Sequence, residues 1–175
     1  MQILENLRIK LRALEPEDLD LLYKWENDPS VWHLSTTLSP FSRYTLNKYI
    51  EQSGQDIFEA KQLRLVITKK ADGSAIGAVD LFEFDPYHLR AGVGILIADP
   101  HDRKQGFAGE TLETLIEYTF RTLSLKQLWC NISEDNQESL KLFIRYGFLI
   151  TGQKKDWMRK EDKWYSEYFL QLVSI

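Results

Sequence analysis

Hydrophobic and polar positions alternate with period two from Leu7 to Leu14 (LRIKLRAL), which predicts a strand. Glu15-Pro16 then opens EDLDLLYKWEND, with proline at the first helical position and acids in the first turn, the signals of a helix start. Leu19, Leu22, Tyr23 and Glu26 share one face of that helix, and Asp28-Pro29 ends it. A second helix is expected from Ser42 to Gln52, its apolar stripe lying in TLNKYIEQ. From Gln62 the pattern turns to strands: LRLVITKK, a turn at Asp72-Gly73, then AIGAVDLFEFD, which together predict a hairpin. Asp85-Pro86 marks another turn, and His88 to Ala98 reads as a third strand of that region.

A long helix follows, with Ala108, Leu112, Leu115, Ile116, Thr119, Phe120 and Leu123 at helical spacing. QLWCNI then reads as a buried strand, Gln137 to Arg145 as a helix and Gly147 as its C-terminal cap. FLITGQKKDWM and KWYSEYFLQLV close the chain as strands. The order β-α-α-β-β-β-α-β-α-β-β implies a parallel pair around the long helix and antiparallel hairpins elsewhere. The expected fold class is α/β in the mixed sense, a twisted sheet with helices on both faces. No repeat, low-complexity tract or linker interrupts the chain, so one domain over 1–175 is expected.

Composition narrows the function classes. The 175 residues are 43% hydrophobic and 27% charged, the balance of a globular protein. A formal net charge of −4 argues against a nucleic-acid partner, which calls for a basic face, and suits a cationic substrate. The N-terminus lacks the apolar core of a signal peptide, and no stretch approaches the roughly 20 apolar residues of a membrane span. A single cysteine, Cys130, excludes an internal disulfide and lies in an apolar run, the setting of a buried structural thiol. A cytoplasmic protein with no membrane partner is expected, as monomer or homodimer. His33, His88 and His101 show no metal-ligand spacing, so no metal is expected.

The stretch DPHDRKQGFAGETLETL, from Asp99 to Leu115, carries the chemistry. Gly106 and Gly109 stand where the helix begins, although glycine belongs past a helix C-terminus. A strand breaking into a turn and then a helix leaves free N–H groups and a positive dipole end, an anion site. Arg103 and Lys104 add charge there. An ordinary strand-to-helix corner, with glycines relieving crowding, uses the same residues. Neither GxxxxGK[ST] nor G-x-G-x-x-G is present, so the usual nucleotide folds do not apply.

The run R-K-Q-G-F-A, Arg103 to Ala108, resembles the [QR]-x-x-G-x-[GA] signature of the GNAT N-acetyltransferase superfamily. N-Q-E-S-L-K-L-F-I-R-Y-G-F, Asn136 to Phe148, is similar to that superfamily's N-x-x-[SA]-x-x-[LI]-[YF]-x-x-x-G-F element. LRALEPEDLDLLYKWENDPSV is similar to the start of the branch holding ribosomal-protein and spermidine N-acetyltransferases. The resemblance spans nearly the whole chain in the right order. It implies a mostly antiparallel sheet of about seven strands and acetyl-CoA as co-substrate for acetylation of a primary amine. It further implies that the Leu96-Ile97-Ala98 backbone pairs with the pantetheine arm. Arg103, Lys104, Gln105, Gly106, Phe107, Ala108 and Gly109 would surround the pyrophosphate, their N–H groups from Lys104 onward holding it. Asn131 counts with the groove, Asn136 would bond the pantetheine, and Ser139 and Phe143 would lie near the thioester sulfur.

Amine acetylation needs a neutral amine, a polarised thioester carbonyl and an acid for the departing thiolate. A backbone N–H of the strand ending at Ala98 is the candidate for the carbonyl. Phe143 stands where many relatives have tyrosine and has no proton to give, so Ser139 is the candidate acid, with Tyr146 behind it. For the base, Asp80 and Glu83 differ by three on a strand and face opposite sides. Glu83 is chosen, because Asp80 lies among smaller apolar residues; deprotonation through water needs neither. Gly92 stands where spermidine acetyltransferases carry an acid, which weakens a polyamine acceptor. The aromatic and acidic run Tyr23 to His33 is a candidate amine pocket or plain packing. A protein N-terminus, a polyamine and a small amine stay open as acceptors. The alternative is a catalytically silent acyl-CoA-binding or sensor domain of the same fold.

Overall fold

The computed structural model describes residues 3–35 and 37–174, the side chains of 33–35 excepted, so His33 lies outside the described side chains. Its strands are β1 (Ile9–Ala13), β2 (Leu63–Lys69), β3 (Ala75–Asp85), β4 (Arg90–Ile97), β5 (Gln127–Ser133), β6 (Leu149–Lys160) and β7 (Lys163–Val173). Its helices are α1 (Leu19–Glu26), α2 (Pro29–Ser35), α3 (Arg43–Gln52), α4 (Ile57–Ala60), α5 (Phe107–Arg121) and α6 (Gln137–Arg145). The strands form one 7-stranded sheet in the order β1-β2-β3-β4-β5-β7-β6. Every described pairing is antiparallel except β4 with β5, which α5 connects. The expected mixed, mostly antiparallel sheet is therefore what forms, with α2 and α4 as short helices the sequence pattern did not announce.

Two apolar clusters cover the two faces of this sheet. On one face Leu112 and Leu115 of α5 and Leu140 and Phe143 of α6 pack on Val79, Leu81, Cys130 and Leu170. On the other, Leu22 and Trp25 of α1 and Leu46 and Ile50 of α3 pack on Val66 and Ala78. Local signals place these helices. The Ser42 hydroxyl accepts the Thr45 N–H at 3.1 Å and starts α3. Ahead of α1, Asp18 accepts Arg12 through both carboxylate oxygens (2.7 and 2.8 Å) and the Glu15 N–H at 2.9 Å. The Arg12 guanidinium therefore holds the Asp18 carboxyl below its ordinary range.

Two faces differ from expectation. In α1 the buried pair is Leu22 and Trp25, while Tyr23 is exposed with the Arg43 guanidinium 4.5 Å from its ring centroid. In α5, Thr111 and Thr114 are buried beside Leu112 and Leu115, two positions outside the expected apolar spacing, while Thr119 is buried as expected. Thr114 returns its hydroxyl to the Glu110 carbonyl at 2.7 Å, and Thr119 to Ile116 at 3.0 Å, so both bury as apolar bodies. The Thr111 hydroxyl has no partner among the described residues. Thr111→Val keeps the shape and removes that orphan, so it raises stability by about 1 kcal/mol, read as the urea midpoint at constant m-value.

β4 and β5 decide where a ligand fits. They pair from Arg90↔Gln127 to Gly92↔Trp129 and no further. Beyond that point β4 stays with β3 as far as Ile97, and β5 stays with β7 as far as Ser133. The two strands thus part in mid-sheet while each remains tied to its outer neighbour.

Candidate functional site

Where the strands part, a cavity of about 160 Å³ is lined by Val93, Gly94 and Ile95 of β4 and by Cys130 to Ser133 of β5. Asn136, Ser139 and Phe143 of α6 reach it, as do Met158 and Lys160 of β6 and Glu167 of β7. The Ala98 N–H donates to the Ile76 carbonyl at 2.9 Å. Because alternate residues of an antiparallel strand face the same neighbour, Leu96 and Gly94 also turn to β3. Val93 closes the last pairing, that of Gly92 with Trp129, and Ile95 and Ile97 then carry the amides that face the gap, with no strand opposite them. Of the expected trio Leu96, Ile97 and Ala98, only Ile97 presents its N–H to the gap. Ala98 is corrected on this point, because its N–H is already bonded to β3.

The loop from β4 to α5 gathers free backbone N–H groups. Lys104 (φ 60°) and Gly106 (φ 89°) are left-handed, with Gln105 between them outside that region. Such alternation gathers successive N–H groups into a concave nest. Among the described residues, no hydrogen bond takes the N–H groups of residues 104–109; the first engaged one is Glu110, to the Gly106 carbonyl at 3.1 Å. The positive end of α5 adds to them. Arg8 pins the loop from β1's side, donating to the Gln105 carbonyl at 3.0 Å and to the Glu110 carboxylate. Lys104 makes an exposed bridge to Glu138 at the start of α6, 3.0 Å.

Other members of this loop act differently from expectation. Arg103 turns its guanidinium back onto the Ile97 and Ala98 carbonyls, 2.9 and 3.1 Å, and so ties the loop to the end of β4. Phe107 is buried in the core, leaving only its backbone at the loop. Gln105 donates to the His101 carbonyl. Gly109 answers to packing: a Cβ there would lie 2.6 Å from the Tyr146 hydroxyl. That contact also places the Tyr146 phenol against the α5 backbone, and Tyr146 is absent from the cavity lining.

At the other wall, the Asn136 side chain accepts the Ser139 N–H at 3.2 Å and caps α6, leaving its amide hydrogens for another acceptor. Ser139 sits in the first turn of α6, and Phe143, one turn on, packs edge-on against Phe148 at 5.0 Å between centroids. Cys130 is buried, its thiol pushed up to about 12, so it stays protonated at neutral pH and is no nucleophile. Glu83 lies exposed at a bulge of β3, at φ 47°, and lines neither described cavity. Asp80 instead faces a second cavity of about 310 Å³ between the sheet, α1 and α3. There the Arg64 guanidinium binds both Asp80 oxygens (2.7 and 3.0 Å) and the Glu26 carboxylate.

Near the gap, Phe82, Trp129 and Phe169 form a row of rings at 5.2 and 5.7 Å on the α1/α3 face of the sheet. A Cβ on Gly92 would lie 2.3 Å from the Phe82 ring. The glycine at this position is therefore required by the ring that covers it. Sequence reasoning missed Glu167, Lys154, Met158 and Lys160 altogether. Their only signal is alternation in the last hairpin, whose register with β5 is a long-range property. Among the described residues, no group of His, Cys, Asp and Glu is gathered as metal ligands would be.

Comparison with known proteins agrees with this geometry. The model of the acetyltransferase (GNAT) domain family matches residues 8–149. The chain is 28% identical over 174 residues to "Uncharacterized N-acetyltransferase p20" of Bacillus licheniformis, covering 99% of this chain and 97% of that one. It is 26% identical over 145 residues to spermidine N(1)-acetyltransferase of Escherichia coli K12, covering 83% and 75%. The crystal structure of spermidine N-acetyltransferase from Vibrio cholerae in complex with CoA and spermine shares the fold. It superposes with a TM-score of 0.86 at 21% identity, covering 96% of both chains. A strand pair that parts in mid-sheet, an anion loop at the start of α5 and a family match over most of the chain lead to one conclusion: the protein belongs to the GNAT acetyltransferase family.

Proposed function

We propose that the chain, as one domain over 1–175, transfers acetyl from acetyl-CoA to a primary amine by direct attack on the thioester. The observation that carries this is the continuity of unpaired backbone donors, from Ile95 and Ile97 on β4 into residues 104–109. The first set suits an extended amide-bearing arm laid along β4 like an added strand. The second suits a pyrophosphate. Arg103 orders the corner between them, and Gly106 keeps the loop backbone open. The Ile95 or Ile97 N–H, fixed by the strand, is the donor for the thioester oxygen as charge develops on it. Asn131 and Asn136 offer polar groups along the arm, and Ser139 gives the departing sulfur its proton. Glu83, exposed at its bulge, has no part in this reading.

The acceptor is an amine carrying a cation, since Glu167 lines the cavity beside Ser139. The curated relatives named for spermidine make polyamines the first compounds to try. The aromatic row of Phe82, Trp129 and Phe169 equally suits an amine on an apolar body, through cation–π contact. Acetyl-CoA at about 100-fold over Kd raises Tm by about 5–10 °C, and NAD or ATP does far less. Thiol release is then followed with spermidine, spermine, aminoglycosides and ribosomal-protein N-terminal peptides. Absence of a Tm shift in folded protein refutes acetyl-CoA binding. A shift without thiol release from any amine identifies the acyl-CoA-binding module instead.

A further inference from the structure

We propose that Glu167 is the residue that binds the acceptor ammonium and takes its proton, a role that rests on the acetyltransferase reading above. Glu167 sits in the middle of β7, opposite Ser133 of β5 and Lys154 of β6. Its side chain is 12% exposed and lines the same cavity as Ser139. Lys154 donates to Oε2 at 2.8 Å and reaches the Asn131 side chain at 3.4 Å, so the carboxylate is held from one side. Oε1 accepts no hydrogen bond from any described residue.

The other carboxylates near the gap are already committed. Asp80 binds Arg64 through both oxygens. Both Asp135 oxygens take Lys160 at 2.7 Å. Glu134 takes the Ser166 N–H at 2.7 Å through one oxygen and does not line the cavity. Glu83 lies outside the cavity. Among the described residues that line the cavity, Glu167 is the carboxylate, and it has an oxygen left for a substrate.

Its side of the sheet fits the role. β7 alternates, and Leu170 is in the α5/α6 core, so Glu167 and Phe169 face away from that core. Phe169 stacks beside Trp129 on the α1/α3 face. Ser139 comes from α6 on the opposite face. An amine entering past the aromatic row meets Glu167, while the thiol leaves on the Ser139 side. Charged or proton-bearing groups around Glu167 are Lys154 and Lys160 of β6, Glu134 and Asp135 after β5, and Ser139 of α6.

The protons balance. Glu167 takes one proton from R–NH3+, and the freed lone pair forms the C–N bond at the thioester carbon as the C–S bond breaks. The second proton passes from nitrogen to sulfur by way of the Ser139 hydroxyl, the third stays on the amide, and Glu167 returns its proton to water.

The test is steady-state CoA release with the amine turned over fastest, from pH 6 to pH 10, alongside calorimetric acetyl-CoA affinity. Glu167→Gln lowers kcat/KM for the amine by about 10- to 100-fold at pH 7. The loss shrinks towards pH 10, where solvent itself supplies neutral amine. Acetyl-CoA affinity is unchanged, and Glu167→Asp retains an intermediate rate. Wild-type kcat/KM in Glu167→Gln, or a loss that is equal at every pH, overturns the role. If Glu167→Gln does not fold, Glu167→Asp decides by the same pH criterion. Wild-type protein that binds acetyl-CoA yet acetylates no amine overturns the acetyltransferase reading, and this role with it.

Discussion

Ser139→Ala lowers kcat for CoA release by about 100- to 1,000-fold and leaves acetyl-CoA affinity nearly unchanged. In the proposed reaction the hydroxyl matters when negative charge develops on sulfur, not when the thioester binds. Its backbone N–H, held by Asn136, survives the substitution, so α6 keeps its start. No neighbouring phenol stands in: Phe143 has none, and the Tyr146 hydroxyl packs at Gly109. Phe143→Tyr in the Ser139→Ala background returns part of the lost rate, because position 143 lines the same cavity as position 139. Steady-state kinetics with the best amine, and calorimetry with acetyl-CoA, separate the two effects. An unchanged kcat in Ser139→Ala refutes the serine as proton donor and leaves water in that place.

Gly106→Val weakens acetyl-CoA binding by about 10- to 100-fold and also lowers stability by about 2 kcal/mol. The stability loss follows from φ 89° at Gly106, a left-handed conformation that β-branched residues resist. The affinity loss follows because a Cβ at Gly106 would lie 3.0 Å from the Arg8 guanidinium that pins the Gln105 carbonyl, so the proposed anion nest is displaced. Gly73→Val separates the two. Gly73 has φ 73° in the β2–β3 turn, and a Cβ there would meet nothing within 4 Å. Both variants lose Tm through their positive φ, Gly106→Val the more for its contact with Arg8, and only Gly106→Val loses affinity. Equal affinities in the two variants would show that the backbone at Gly106 does not approach the pyrophosphate.

Much of the fold was legible in the sequence because its signals are local. A period-two run marked β1, strand runs bounded by turns marked β2 to β4, Pro16 and Ser42 marked helix starts, and Gly147 marked a helix C-terminus. The anion loop was legible for the same reason: a strand end, a turn and a helix start are contiguous along the chain. The faces of α1 and α5 were only partly legible. Spacing put Leu22 and Tyr23 on the apolar face, and the sheet receives Leu22, with Trp25 in the place of Tyr23. Spacing placed Thr119 on the buried face of α5 but left out Thr111 and Thr114, and Thr114 buries because its hydroxyl bonds its own helix.

The choice between Asp80 and Glu83 shows where local reasoning stops. A count of three along a regular strand puts them on opposite faces, but a bulge between Phe82 and Asp85 breaks that count. Leu81 and Phe84 thereby reach the same core, and Glu83 is left in solvent. Gly109 and Gly92 were likewise explained by partners far along the chain, Tyr146 and Phe82.

By itself, then, the sequence determined the order of elements, the parallel crossover through α5, the caps and the loop of free N–H groups. Each depends on residues within a few positions of one another, where backbone sterics and short-range hydrogen bonds decide. Only the tertiary structure decided that β4 and β5 part after Gly92 and Trp129, and that Glu167 enters the gap from β7. It also decided that Asp80 is held by Arg64 while one oxygen of Glu167 remains open. Those outcomes rest on the register between strands distant in sequence, where a slip of one residue sends a side chain to the opposite face of the sheet.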